Sequence, residues 1–155
     1  MKIMKMNEGD ALKRGDDLEA SERFNDAEEH YRVYIQLFPR SAKLYARRGR
    51  CLFLLKRYQE AVSLFKEALA IKPNAPTALY MLGESHEQLG ELNEALRAYQ
   101  LSAETKPQAD VFISMGLIHK YQGQYELARK AFSQAKSCAP NDQHIEDLLA
   151  SVNDK

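Results

Sequence analysis

Apolar side chains recur along this chain at helical spacing. Between positions 58 and 71, Tyr58, Ala61, Val62, Phe65, Ala68 and Leu69 fall at intervals of three and four, which places them on one face of a helix. Leu92, Ala95, Leu96, Tyr99 and Ala103 repeat the pattern over 92–105. Gly90 and Gly123 interrupt it between paired segments, and no segment alternates apolar and polar residues as a strand does. The pattern predicts eight helices in four antiparallel pairs. After Pro140, the stripe Ile145, Leu148, Leu149 and Val152 predicts one more helix over 143–152, apolar on one side and acidic on the other. Such a segment suits the cap that a stack of repeats needs at its last unit, and an ending of this kind is expected of an entire protein or domain.

Small and rigid residues keep a common register. Glycine stands at 15, 49, 83 and 116, alanine at 27, 61, 95 and 128, and proline at 39, 73, 107 and 140. Tyr31, Phe65, Tyr99 and Phe132 follow the same steps of 34, 34 and 33. Each class has a physical role. Glycine inside a helix costs about 0.5–1 kcal/mol relative to alanine, so four of them at one place imply a packing need. The alanine lies in the second helix of the unit, where the antiparallel pair approaches closely. The aromatic one turn later is expected to fill the space between neighbouring units. The proline ends the second helix, having no N–H for the ladder.

These residues resemble the tetratricopeptide repeat family, whose unit is a helix–turn–helix with Gly or Ala in the first helix, then Ala-x-x-x-Phe, then Pro. The units are 8–41, 42–75, 76–108 and 109–142, within a single domain spanning 1–155. The family's early Trp is replaced by Ala11, Tyr45, Leu79 and Phe112. Its Leu before the Gly is Arg14 in unit one and Arg48 in unit two, where long stems are expected to lie on the core with the charge in water. The resemblance implies an all-α fold, an α-solenoid coiled as a right-handed superhelix of four antiparallel helix pairs with a C-terminal capping helix.

Composition narrows the function. Lys plus Arg and Asp plus Glu number 22 each, a balance that argues against general nucleic-acid binding, which needs a basic surface to displace counterions. No apolar run is long enough to cross a bilayer, and the start, Met1 to Met6, is too short and charged for a secretory segment. The chain therefore reads as cytoplasmic, without a membrane partner. Cys51 and Cys138 form no C-x-x-C pair and read as two small buried hydrophobes. His86 and His119 share one repeat position and read as partly buried fillers, since no third ligand stands at helical spacing. No nucleophile elbow, P-loop or dinucleotide-binding glycine run is present. The carboxylates, Glu84 and Glu87 among them, read as solvated. The reading is a protein without catalytic residues, metal or cofactor.

The resemblance further implies that the first helices line a concave face. Its groove positions fall on Leu12, Lys13, Asp16 and Glu19 in unit one, and on Lys43, Ala46, Arg47, Arg50, Phe53 and Leu54 in unit two. They continue with Thr77, Tyr80, Met81, Glu84, Glu87 and Gln88, and then Asp110, Ile113, Ser114, Leu117, Lys120 and Tyr121. Lys43, Arg47 and Arg50 share a helical face in a segment with no acidic residue. Beside them run Phe53, Leu54, Tyr80, Met81, Ile113, Leu117 and Tyr121. The expectation is a groove that holds an extended or helical peptide segment of another protein. Its acidic group would meet the basic helix, and a basic residue would meet Glu84 and Glu87. The family's heat-shock carboxylate clamp is matched only by Lys43 and Arg47, with Lys13 where an Asn is required, so no such clamp is expected. Alternatives are a self-associating scaffold, buried as a homo-oligomer, and a specialised secretion-type chaperone.

Overall fold

The computed structural model describes residues 6–153. Met1–Lys5, most of the stretch read above for a secretory signal, lies outside them. Among the described residues there are nine helices and no strand: α1 (Glu8–Ala20), α2 (Phe24–Leu37), α3 (Ala42–Leu54), α4 (Tyr58–Ile71), α5 (Pro76–Gln88), α6 (Leu92–Thr105), α7 (Ala109–Tyr121), α8 (Tyr125–Cys138) and α9 (Gln143–Asn153). The chain is an all-α solenoid in which each helix packs on the one before it.

Local chemistry sets the helix starts. Asn7 and Asp10 form a capping box at α1, with the Asp10 amide donating to the Asn7 side chain over 2.9 Å. The Ser41 hydroxyl accepts from the Leu44 amide at α3, and Pro76 occupies the first turn of α5, where its missing N–H costs nothing. The turn inside each unit needs one residue in the left-handed region. Units three and four supply Gly90 (φ 75°) and Gly123 (φ 73°), whereas units one and two place Glu22 (φ 56°) and Lys56 (φ 60°) there.

The recurring small positions close each unit on itself. A Cβ added at Gly83 would lie 2.5 Å from Tyr99 Cε1, and one at Gly116 2.4 Å from Phe132 Cε1. Gly15 faces Tyr31 in the same way, and Gly49 faces Phe65 with slightly more room. The aromatic therefore seats on the glycine of its own unit as well as on its neighbours, which adds to the expected role between units. Tyr99 also packs in one cluster with Val111, Met115 and Ile145, so it joins unit three to unit four. Each such side chain contributes about 1.5–3 kcal/mol through burial.

At the C-terminal end, α9 packs on α8 with Ile145 and Val152 fully buried. The Arg129 guanidinium donates to the Val152 carbonyl over 2.8 Å, which supplies one of the orphan acceptors of the last turn. Cys51 is buried, and burial pushes its thiol up to about 12. Cys138 is exposed, contrary to its reading as a buried hydrophobe; it is the last residue of α8, past Ala135, the last buried position of that helix.

Candidate functional site: the concave helix face

The helices α1, α3 and α5 form a continuous face, since α1 touches α3 and α3 touches α5 directly. Between them lies a groove of about 680 Å³. Leu12 and Asp16 of α1 form one wall, and Lys43, Ala46, Arg47 and Arg50 of α3 form the middle. Thr77, Tyr80 and Met81 of α5 form the other wall, with Phe65 and Ala68 of α4, its C-cap Lys72, and Ala78 behind. The structure thus brings Lys43, Arg47, Arg50, Tyr80 and Met81 to one cavity.

The basic helix is not a free cationic face. Arg47 Nε lies 3.3 Å from Asp16 Oδ1, and Arg50 Nε lies 3.3 Å from Glu19 Oε2. Glu19 is buried, and the Tyr31 hydroxyl sits between the two carboxylates, 2.9 Å from Glu19 Oε1 and 3.1 Å from Asp16 Oδ1. Burial, and then the Glu19 charge, push the Tyr31 hydroxyl far above its ordinary range, so it remains a proton donor. Arg48 bonds Glu28 over 2.7 Å and is largely shielded, which corrects the expectation that its charge lies in water. Among the described residues, Lys43 and Lys72 are the exposed cations lining this groove that have no ion pair.

The second half of the face is built differently. Glu84 is half-buried, not solvated as expected. Burial raises its carboxyl above the usual range; the nearby Tyr80 hydroxyl works the other way, and Glu87 and Asp110 add to the rise. Tyr80 is itself pushed up to about 12, by burial first and then by Glu84. Glu87 is half-buried too and accepts from the Tyr99 hydroxyl over 2.8 Å. Leu117 and Tyr121 stand exposed, and with Glu87, Leu92 and Ile118 they line a second depression of about 420 Å³.

Other residues proposed from the sequence lie apart from both cavities. Ile113 packs on two apolar clusters of the C-terminal half. Phe53 meets the Tyr58 ring at 5.3 Å, with Leu54 exposed nearby in the chain. Lys120 reaches across to α9, where its Nζ donates to Ser151 Oγ over 2.9 Å. His86 pairs with Glu91, and His119 Nδ1 lies 2.7 Å from the Gln124 amide oxygen, so both tie the end of one helix to the start of the next. Among the described residues, no group of three or more His, Cys, Asp or Glu could hold a metal ion. No helix there is long and apolar enough to cross a membrane.

With the helix pairs, the glycine–aromatic contacts and the concave face in place, comparison with known proteins is direct. Tetratricopeptide repeat family models match residues 12–76, 52–115 and 109–142. The chain belongs to the tetratricopeptide repeat family. It is 36% identical over 95 residues to a DnaJ homolog subfamily C member 7 homolog of Schizosaccharomyces pombe, covering 59% of this chain and 20% of that protein. It is 29% identical over 91 residues to the Hsp70-Hsp90 organizing protein of Triticum aestivum, covering 59% and 16%. The chain spans a fifth or less of the length of these curated relatives. Among solved structures, a crystal structure of MamA superposes with a TM-score of 0.82 at 26% identity, over 97% of this chain and 84% of that one. The Cut9–Hcn1 complex of the APC/C gives 0.81 at 19% identity, over 93% and 29%, and shows the fold alone.

Proposed function

We propose that this protein is a non-enzymatic adaptor, built of the four units and cap described from the sequence, that holds a segment of another protein in its concave groove and acts in the cytoplasm. The observation that carries the reading is the 680 Å³ groove between α1, α3 and α5. Its walls are apolar at Leu12, Ala46, Ala78 and Met81, and Lys43 stands exposed at its edge. An extended peptide fits that chemistry if it carries an apolar side chain for the walls and an acidic one for Lys43. Affinity should be modest, roughly micromolar, because a short interface must offset the ordering of the peptide. The names of relatives such as the Hsp70-Hsp90 organizing protein agree with a role in protein assembly. A heat-shock carboxylate clamp is not part of the proposal, since Arg47, one of its two matched cations, is tied to Asp16.

The test is affinity capture from lysate with wild type and with Lys43→Glu/Thr77→Glu. Both residues are exposed on the rim, so the core is untouched. Partners held by wild type and lost from the folded variant support the groove. Equal capture by both proteins moves the binding surface elsewhere, and a size that grows steeply with concentration favours self-association instead.

A further inference from the structure

The repeat register lets one half of the concave face serve as a template for the other. Asp16 and Glu19 of unit one correspond, two steps of 34 further on, to Glu84 and Glu87 of unit three. One part of the local construction recurs in both, the tyrosine on the second carboxylate, although Tyr31 also bonds Asp16 whereas Glu84 is met by Tyr80 instead. Tyr31 bonds Glu19 over 2.9 Å, and Tyr99 bonds Glu87 over 2.8 Å from the equivalent position. What differs is the neighbour. Asp16 and Glu19 are neutralised by Arg47 and Arg50 of the next unit, each at 3.3 Å. Two units on, steps of 34 and 33 put Ser114 and Leu117 in the places of those arginines. Among the described residues Glu84 and Glu87 have no ion pair, and Lys120, on the same helix as Leu117, is turned to Ser151 of α9.

We infer that the α5–α7 half of the concave face docks a basic side chain, Arg or Lys, of a bound peptide, placed where the molecule's own arginines stand in the α1–α3 half. The site is more than a pair of carboxylates. Beside Glu87 lies the 420 Å³ depression of Leu92, Leu117, Ile118 and Tyr121, with Tyr121 83% exposed. A guanidinium or ammonium brings charge complementarity to the carboxylates, and its stem or an adjacent apolar residue covers the exposed Leu117 and Tyr121. A bound metal ion does not fit, since no metal-holding group occurs among the described residues. The inference rests on the concave face being a peptide site, and it adds direction. The acidic part of the ligand lies over α3 and the basic part over α5 and α7.

The experiment is selection of a phage-displayed random peptide library on wild type, on Leu117→Arg and on Glu84→Gln/Glu87→Gln, each checked for folding by circular dichroism. Leu117→Arg restores the arginine that the register lacks. The glutamine pair keeps shape and removes charge. Wild type should enrich peptides with Arg or Lys about tenfold, the scale of one charge-assisted hydrogen bond. Both variants should lose that enrichment while keeping the acidic preference that depends on Lys43. Unchanged basic enrichment in whichever variants fold overturns the inference, and so does a wild-type selection that is acidic and apolar only. Basic enrichment without the Lys43-dependent acidic preference supports this site and overturns the reading of the first groove. No enrichment on wild type overturns both.

Discussion

The junction of units one and two and the junction of units three and four occupy equivalent places in the repeat register but are closed by different chemistry. In the first, a small apolar cluster of Ala27, Tyr31, Leu44 and Cys51 is flanked by charge, with Asp16–Arg47, Glu19–Arg50 and Arg48–Glu28 crossing between helices. In the second, Tyr99, Val111, Phe112, Met115, Ile118 and Ile145 form one continuous apolar cluster that runs into the cap. The lesson is about function as much as stability. Where arginines serve the fold, the carboxylates opposite them are spent. Where apolar packing serves the fold, the equivalent carboxylates remain available.

The largest effect should come from the apolar end. Phe132→Ala removes a fully buried ring that packs with Leu148 and Val152, and it should cost about 3–5 kcal/mol in chemical denaturation. A loss well under that range would mean that α9 is not held through this ring. Next, Ala95→Leu forces a larger side chain into a fully buried position of the cluster around Tyr99 and should cost about 1–3 kcal/mol, read as a lower midpoint at unchanged slope.

The charged junction should answer more weakly. Arg50→Ala leaves buried Glu19 without its cation. Because Arg50 is itself half exposed, the loss should be about 1–2 kcal/mol, below the roughly 3–5 of a fully buried pair. Stability equal to wild type would show that the junction does not depend on this pair. The turns differ between the two halves as well. Lys56→Gly relieves a left-handed lysine and should stabilise by up to about 1 kcal/mol, whereas Gly90→Lys should destabilise by a similar amount. Opposite signs in thermal melts are the check.

The smallest effect concerns Glu84. Burial raises its carboxyl pKa in the folded state, so the charged form disfavours folding at pH values above that pKa. Glu84→Gln should therefore melt slightly higher than wild type at neutral pH. The advantage should fade as pH falls through the raised pKa and vanish below 4.5, the ordinary value, where both states are protonated. An advantage independent of pH would mean that the carboxylate's charge is not its cause.

Much of the fold was legible because each repeated position answers to one local force. The prolines at 39, 73, 107 and 140 each stand two residues past the end of a helix and stop it, and glycine is required where a ring must touch backbone. Reading four such positions together located the helices without any knowledge of tertiary contacts. The groove was legible only in outline. Lys43, Arg47, Arg50, Tyr80 and Met81 do meet in one cavity. The neutralisation of two of those arginines was not anticipated, although Asp16 and Glu19 were already among the expected groove positions. Their partners stand 31 residues away, a spacing that no single-helix pattern reports. Glu84 and Cys138 were misjudged for a related reason. Residue type predicts exposure only on average, and the half-burial of a carboxylate or the exposure of a thiol is decided by which neighbouring helix covers it.

The central claim is that the first helices, and not the second ones, form the binding face. The most direct measurement is amide chemical-shift mapping of the isotope-labelled protein titrated with the peptide most enriched from the library. Perturbations running from Lys43 and Thr77 to Glu87 and Leu117, along α3, α5 and α7, are predicted. Perturbations confined to α2, α4, α6 and α8 would contradict the account.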